Sequence, residues 1–112
     1  MDLNLEYEKD KLYARLKGEL DLSVAPQIRL ELDNALNTKQ IRHLIMDFSN
    51  VSFIDSSGLG VILGRYKRLT EVGGTVRVEN ASPQVYRILV ISGLSKIIEI
   101  TQTREEAGEK GE

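Results

Sequence analysis

The segment FIDSSGLG, residues 53–60, holds the residues of this 112-residue chain that are best suited to chemistry. Asp55, Ser56 and Ser57 follow an apolar segment and precede a glycine, at what looks like the start of a helix. An acid and two hydroxyls in such a place are compatible with a nucleophilic serine, a phosphate site or an ordinary helix cap. The rest of the sequence has to separate these three possibilities.

A catalytic serine is disfavoured because the chain has one histidine, in the wrong place. Hydrolases on α/β folds carry G-x-S-x-G, and neither Ser56 nor Ser57 has a glycine two residues before it. His43 lies near the start of a predicted strand, and the serines follow the other end of that strand. Five residues of extended strand, from position 43 to position 48, already span about 16 Å. A general base must come within about 3 Å of the hydroxyl. We therefore predict that the chain is not an enzyme, the alternative being a small hydrolase that uses Ser57.

Nucleotide and metal sites lack their usual sequence patterns. The chain contains neither G-x-x-x-x-G-K-[ST] nor G-x-G-x-x-G, and its glycines between residues 58 and 64 miss the dinucleotide spacing by one residue. Asp21, Asp47 and Asp55 stand alone, without the neighbouring ligands that a metal needs. We predict no cofactor and no metal.

Helix capping and phosphate remain as the two explanations of the serine pair. A serine at a helix N-terminus accepts a hydrogen bond from a backbone N–H group, which contributes about 1 kcal/mol. The same N–H groups and the helix dipole stabilise a phosphate dianion. Gly58 and Gly60 would leave these amides uncovered. One serine can cap the helix while the other is exposed, and the residues by themselves leave both roles open.

The composition narrows the class of partner. The 15 Lys and Arg residues are scattered among 17 Asp and Glu residues, for a net charge of −2, which argues against nucleic-acid binding. The first ten residues lack the pattern of a signal peptide, and no apolar run approaches the ~20 residues of a membrane span. The absence of cysteine fits a reducing compartment. We expect a cytoplasmic protein that binds neither nucleic acid nor membrane.

Apolar periodicity predicts an α/β fold with the element order β-β-α-β-α-β-α-β-α. Alternation in residues 3–7 and 12–16 predicts an antiparallel hairpin, and consecutive apolar residues at 44–46 predict a central strand covered on both faces. The later β-α units favour a parallel sheet. We predict one domain over residues 1–112, ordered over about 2–108 with a frayed tail, with a mixed four- to five-stranded sheet, a parallel core and about four helices.

Start and stop signals place the helices. The first helix is predicted to have a Ser23 cap, Pro26 in its first turn and a buried apolar stripe. The second ends at the glycine pair 73–74. The third begins with a Ser82 cap and Pro83 and closes at Gly93, the segment KIIEI at 96–100 can form an edge strand, and a capping box from Thr103 to Glu106 predicts a short last helix.

The basic run RYKR, residues 65–68, follows the serine segment on the second helix. It predicts a solvated helix face with Tyr66 turned to the core. The alternative is a docking patch for an acidic partner.

The segment FIDSSGLGVILGRYK resembles the signature of bacterial anti-sigma factor antagonists, members of the STAS domain class. In that family a strand delivers D-S-[ST]-G-[LVIM]-G to the start of a helix. The resemblance extends from about Leu12 to Ile98 and includes GELDLSVA and ISGLSKII. The combination of SSGLGVILGRYK with SGLSKII is similar to the sporulation members in particular, whereas the general stress members more often carry threonine in the second hydroxyl position.

The resemblance implies a mechanism of partner switching that regulates sporulation-specific transcription. The unmodified antagonist binds an anti-sigma factor that is also a serine kinase with bound ADP or ATP, and so releases the sigma factor. The kinase phosphorylates the hydroxyl residue directly before the glycine, which ends binding, and a metal-dependent serine phosphatase removes the phosphate. The motif positions assign phosphorylation to Ser57 and partner binding to Asp21, Ser23, Asp55, Ser56, Gly58, Leu59 and Gly60. The alternative is a STAS docking subunit of a general stress or a transport-associated system.

Overall fold

The computed structural model describes residues 1–103, which form one five-stranded sheet in the order β1-β2-β3-β4-β5 with helices between the parallel strands. Its elements are β1 (Asp2–Glu8), β2 (Lys11–Leu20), α1 (Ala25–Thr38), β3 (His43–Ile54), α2 (Ser56–Thr70), β4 (Thr75–Ala81), α3 (Pro83–Ile91), a 3-10 turn (Leu94–Lys96) and β5 (Glu99–Gln102). Strand β1 is antiparallel to β2, and all other neighbours are parallel. The predicted α/β fold with a mixed sheet and a parallel core is confirmed.

The last predicted strand and the last predicted helix compare differently with the structure. Strand β5 begins three residues later than predicted because Leu94–Lys96 forms the 3-10 turn. The predicted helix from Thr103 to Glu106 and the predicted tail lie outside the described residues. None of the helices within residues 1–103 combines the length and apolarity needed to cross a bilayer.

The hydrophobic core lies on one face of the sheet, where buried side chains of β2, β3 and β4 meet those of the helices. In the strand register Leu12 lies beside Leu44, and Leu44 beside Val76. Ile45 points the other way, is buried, and does not belong to this core. Its register neighbours are Tyr13 and Arg77, whose long side chains flank it. Helices therefore cover β3 on one face only. On the other face Ile45 is buried, but its neighbours His43 and Asp47 are partly exposed and Ser49 is exposed, so the prediction of a strand covered on both faces holds at Ile45 alone.

Helix α1 begins without the predicted serine cap. Its N-cap residue is Val24, which offers no side-chain hydrogen bond, and Pro26 lies in the first turn. The hydroxyl of Ser23 instead donates to Asp21 Oδ1 at 2.6 Å, so it is not available to the helix. The predicted cap is wrong. The predicted stripe of α1 is confirmed, since its members are all buried: Ile28, Leu32, Ala35 and Leu36.

The signals around α3 are confirmed. Ser82 Oγ accepts a hydrogen bond from the Val85 backbone N–H at 3.3 Å, and Pro83 is the first helical residue. Gly93 follows the helix with a φ of 92°, a left-handed conformation that favours glycine. At the end of α2, Gly74 N donates to Leu69 O at 2.8 Å, which closes the helix as predicted.

Two residues of the basic run 65–68, Arg65 and Arg68, lie at the interface between α1 and α2, and the prediction of a solvated face is wrong for Arg65. Arg65 is only 7% exposed. Its Nε lies 3.2 Å from Asp33 Oδ1, although neither Nε nor Nη1 makes a hydrogen bond of good geometry within residues 1–103. Arg68 Nη1 donates to the same carboxylate oxygen at 3.2 Å. Burial lowers the pKa of Arg65, and the Asp33 carboxylate opposes that change. Tyr66 packs against the core as predicted.

Replacing Asp33 by asparagine is expected to lower the free energy of unfolding by about 2–3 kcal/mol. Removing one partner of a buried ion pair leaves an uncompensated charge, which costs about 3–5 kcal/mol when the pair is fully buried, and the cost is lower here because Asp33 is partly exposed. Arg65→Met is the matched control, because it removes the buried charge itself and leaves the partly exposed Asp33 paired with Arg68, and we expect it to be nearly neutral. Urea unfolding of both variants measures the difference. Equal stabilities would show that the pair does not hold α1 against α2.

Candidate functional site

The acid of the serine segment caps α2. Asp55 is the N-cap residue, and its Oδ1 accepts hydrogen bonds from Ser57 N at 2.9 Å and Gly58 N at 3.2 Å. The side chain of an aspartate directly before the first helical residue is short enough to accept hydrogen bonds from these amides. The cap is therefore the aspartate, and neither serine takes the capping role that the sequence had left open. Within residues 1–103 the hydroxyls of Ser56 and Ser57 make no hydrogen bond.

The two glycines of the segment have different roles. Gly58 is buried, and a Cβ built on it would lie 2.5 Å from Leu20 O and 2.6 Å from Ile54 Cγ1. Glycine at position 58 thus lets α2 start in direct contact with the ends of two strands. Its N–H is bonded to Asp55, so the prediction of an uncovered amide is wrong there. Gly60 is exposed, and a Cβ added to it would meet no atom within 4 Å.

The turn between β2 and α1 lies directly beside the start of α2. Because β2 and β3 are parallel, they end at the same edge of the sheet, with Leu20 opposite Ile54. Asp55 joins the two segments: its Oδ2 accepts from Leu22 N at 3.2 Å, and its own N–H donates to Leu20 O at 3.4 Å. The structure therefore brings the turn that contains Asp21 next to the serine segment.

The turn itself is closed by hydrogen bonds from Asp21. Its Oδ1 accepts from Ser23 N at 3.0 Å and Ser23 Oγ at 2.6 Å, and its backbone carbonyl accepts from Val24 N and Ala25 N. The hydrogen bond from the Ser23 hydroxyl lowers the pKa of Asp21, and it outweighs the opposing effect of desolvation. Asp21 therefore carries its negative charge at neutral pH.

The carboxylates of this site, those of Asp21 and Asp55, make no ion pair in the described part of the chain. Ser56 is exposed, Ser57 is partly exposed, and Leu59 is partly buried against the core. The acids Asp21 and Asp55 thus lie beside two serine hydroxyls without a hydrogen-bond partner among the described residues, whereas Gly58 of the predicted site is buried.

His43 lies far from this surface. It is the first residue of β3, whereas the serines follow its last residue. Its Nδ1 lies 2.8 Å from Thr75 Oγ1, and its Nε2 lies 3.8 Å from Asp10 Oδ2. The structure does not bring a histidine base to either serine, as the sequence analysis anticipated.

Sequence reasoning missed the role of Asp55 as a link between two segments, and it missed Leu22 altogether. Aspartate and serine are about equally good N-cap residues, so the string Asp-Ser-Ser did not show which residue caps the helix. The bond from Leu22 N to Asp55 spans 33 residues. No pattern of neighbouring residues in the sequence predicts a hydrogen bond over such a separation.

The chain belongs to the STAS domain family, which it matches over residues 3–107. Within that family it is similar to anti-sigma factor antagonists. It is 41% identical over 100 residues to the anti-sigma F factor antagonist of Paenibacillus polymyxa, covering 89% of this chain and 86% of that one. It is 32% identical over 107 residues to the anti-sigma-B factor antagonist of Bacillus subtilis strain 168, covering 94% and 96%.

Solved structures of the antagonist SpoIIAA show the same fold. The unphosphorylated form matches with a TM-score of 0.80 at 34% identity, covering 97% of this chain and 95% of that one. The phosphorylated form from Bacillus matches with a TM-score of 0.72 at 33% identity, covering 99% and 100%. The family resemblance drawn from the DSSG segment is thereby confirmed.

Proposed function

We propose that this chain is an anti-sigma factor antagonist that is switched off by phosphorylation of Ser57. The unphosphorylated form binds an anti-sigma factor that is also a serine kinase carrying ADP or ATP, and so releases a sigma factor. A metal-dependent serine phosphatase restores the active form. The observation that carries the proposal is the hydroxyl of Ser57, which precedes Gly58 and has no hydrogen-bond partner within residues 1–103.

The cap geometry supports Ser57 as an acceptor of phosphate. Because Asp55 bonds the first amides of α2, the helix start does not depend on a serine hydroxyl. Modification of Ser57 can therefore proceed without loss of the cap. Gly60, one turn further on, presents no side chain that would obstruct a kinase.

The charge of the surface supports a basic partner. Asp21 and Asp55 lie at the edge of the sheet where Ser57 lies, and within residues 1–103 their carboxylates accept hydrogen bonds but make no ion pair. Opposite charges across an interface steer association and select the partner. A kinase surface rich in Lys and Arg would satisfy this requirement.

Similarity to two kinds of antagonist bears on the pathway. The 41% identity to the anti-sigma F factor antagonist of Paenibacillus polymyxa favours a sporulation-specific partner. The 32% identity to the anti-sigma-B factor antagonist of Bacillus subtilis, over 96% of that chain, supports a general stress partner as the second candidate.

Mapping the phosphate tests the proposal. We expect purified anti-sigma F factor of Paenibacillus polymyxa, with Mg-ATP, to place one phosphate on Ser57, read by mass spectrometry of peptides. Ser57→Ala should abolish the modification, and Ser56→Ala should keep it. Phosphate on Ser56 would contradict the site. Modification by the anti-sigma-B factor of Bacillus subtilis alone would favour the second candidate.

A further inference from the structure

Leu22 is one of the most exposed large apolar side chains of the described chain, at 69%. It stands between Asp21 and Ser23 in the turn that joins β2 to α1. A single exposed leucine is common on protein surfaces and by itself indicates nothing. What sets Leu22 apart is the way its backbone is held.

Hydrogen bonds fix the backbone on both sides of Leu22. Its N–H donates to Asp55 Oδ2 at 3.2 Å, across to the start of α2. Directly after it, Ser23 N donates to Asp21 Oδ1 at 3.0 Å, and Asp21 O accepts from Ala25 N at 2.9 Å. The side chain thus projects from a base that is already ordered. A contact made by such a residue loses less conformational entropy on binding.

The surroundings of Leu22 complete a pattern that is typical of interfaces. The carboxylates of Asp21 and Asp55 flank it and have no ion-pair partner within residues 1–103. Asp55 also accepts a hydrogen bond from the Ser57 amide, so the backbones of Leu22 and Ser57 are both hydrogen-bonded to the same carboxylate. An apolar centre with a charged rim is the usual anatomy of a protein–protein contact. Its complement is an apolar socket bordered by Lys and Arg.

We propose that Leu22 is the apolar anchor by which the turn docks into the anti-sigma factor kinase, and that Asp55 is the positioning residue that holds it; this rests on the proposed function. The partner therefore carries an apolar pocket beside its basic residues. Truncating Leu22 removes the side chain that would be buried on binding and leaves the two carboxylates and the Ser57 hydroxyl in place.

The chain offers a matched control for this anchor. Leu30 has the same side chain and a similar exposure, 55%, and it lies within α1. Leu30 does not belong to the turn between β2 and α1 that Asp21 and Asp55 hold by hydrogen bonds. Leu22→Ala and Leu30→Ala therefore remove equal side chains from exposed positions, only one of which adjoins the phosphoacceptor.

The test is calorimetric titration of each variant with purified anti-sigma F factor of Paenibacillus polymyxa in the presence of ADP. We expect Leu22→Ala to raise Kd by about 10- to 100-fold, the range of an interface anchor, and Leu30→Ala to change it by less than about twofold. Thermal unfolding should be the same for both variants. Equal Kd values for the two variants, with wild-type binding intact, would overturn the anchor and leave the proposed function standing. Failure of the wild type to bind would overturn the proposed function and the anchor with it.

A double-mutant cycle tests the positioning role of Asp55. Asp55→Asn keeps an oxygen for the helix cap and replaces the oxygen that accepts from Leu22 by an amide. If Asp55 acts through Leu22, its substitution should cost clearly less affinity in the Leu22→Ala background than in the wild type. Additive effects of the two substitutions would overturn the positioning role, because a purely structural or electrostatic contribution does not depend on Leu22.

Discussion

Gly58→Ala is expected to lower the free energy of unfolding by about 2–3 kcal/mol, which is a large effect for the addition of one methyl group. The new Cβ would lie 2.5 Å from Leu20 O and 2.6 Å from Ile54 Cγ1. The carbonyl cannot move aside freely, since it accepts the Asp55 N–H and belongs to the last residue of β2. Helix α2 would have to shift away from the sheet, and its bond network at Asp55 would shift with it.

Gly60→Ala is the matched control for this substitution. Gly60 lies two residues further along α2, and a Cβ there meets no atom within 4 Å. Alanine at an exposed helical position is expected to stabilise the fold by about 0.5–1 kcal/mol, because glycine loses more backbone entropy on folding. Urea denaturation measures both effects. A Gly58→Ala variant as stable as the wild type would show that close contact between α2 and the strand ends is not required.

Much of the fold could be predicted because its signals are local. Period-2 alternation predicts β1 and β2, and the pair Ser82–Pro83 with Gly93 correctly bounds α3. Such signals depend on backbone conformation and on hydrogen bonds within a few residues of sequence. The α/β class and the parallel core followed from the order of these elements.

The position of the site could be predicted from the sequence, but its hydrogen bonds could not, because they join segments that are far apart in the sequence. Asp55 and the serines are all competent caps, and their order along the chain did not reveal that Asp55 also accepts from Leu22 N. Likewise Arg65 appears in a basic run that is typical of a solvated face. Its counter-ion Asp33 lies on another helix, so its burial is a property of packing between helices.

Phosphorylation of Ser57 is expected to weaken binding of the anti-sigma factor by about a hundredfold or more, and Ser57→Asp should reproduce part of this loss. A phosphate adds about −1.5 to −2 charges at pH 7. The amides of Ser57 and Gly58 already donate hydrogen bonds to Asp55, so they are not available to the added phosphate. No ion pair brings a cation to Asp21 or Asp55 within residues 1–103. Burying an unpaired anion in an interface costs several kcal/mol, and about 1.4 kcal/mol corresponds to a factor of ten in Kd.

Substitutions at the two serines separate charge at Ser57 from charge in general. Ser57→Ala is expected to bind as the wild type does while escaping modification, and Ser57→Asp to raise Kd. Ser56→Asp adds the same charge at the adjacent, more exposed position and should have a smaller effect, because water screens it better. Titration calorimetry at low and high salt measures all three, and the penalty for Ser57→Asp should persist at high salt if the charge is buried on binding. Equal affinities of Ser57→Asp and the wild type would contradict the electrostatic basis of the switch, since the charge would then lie outside the interface.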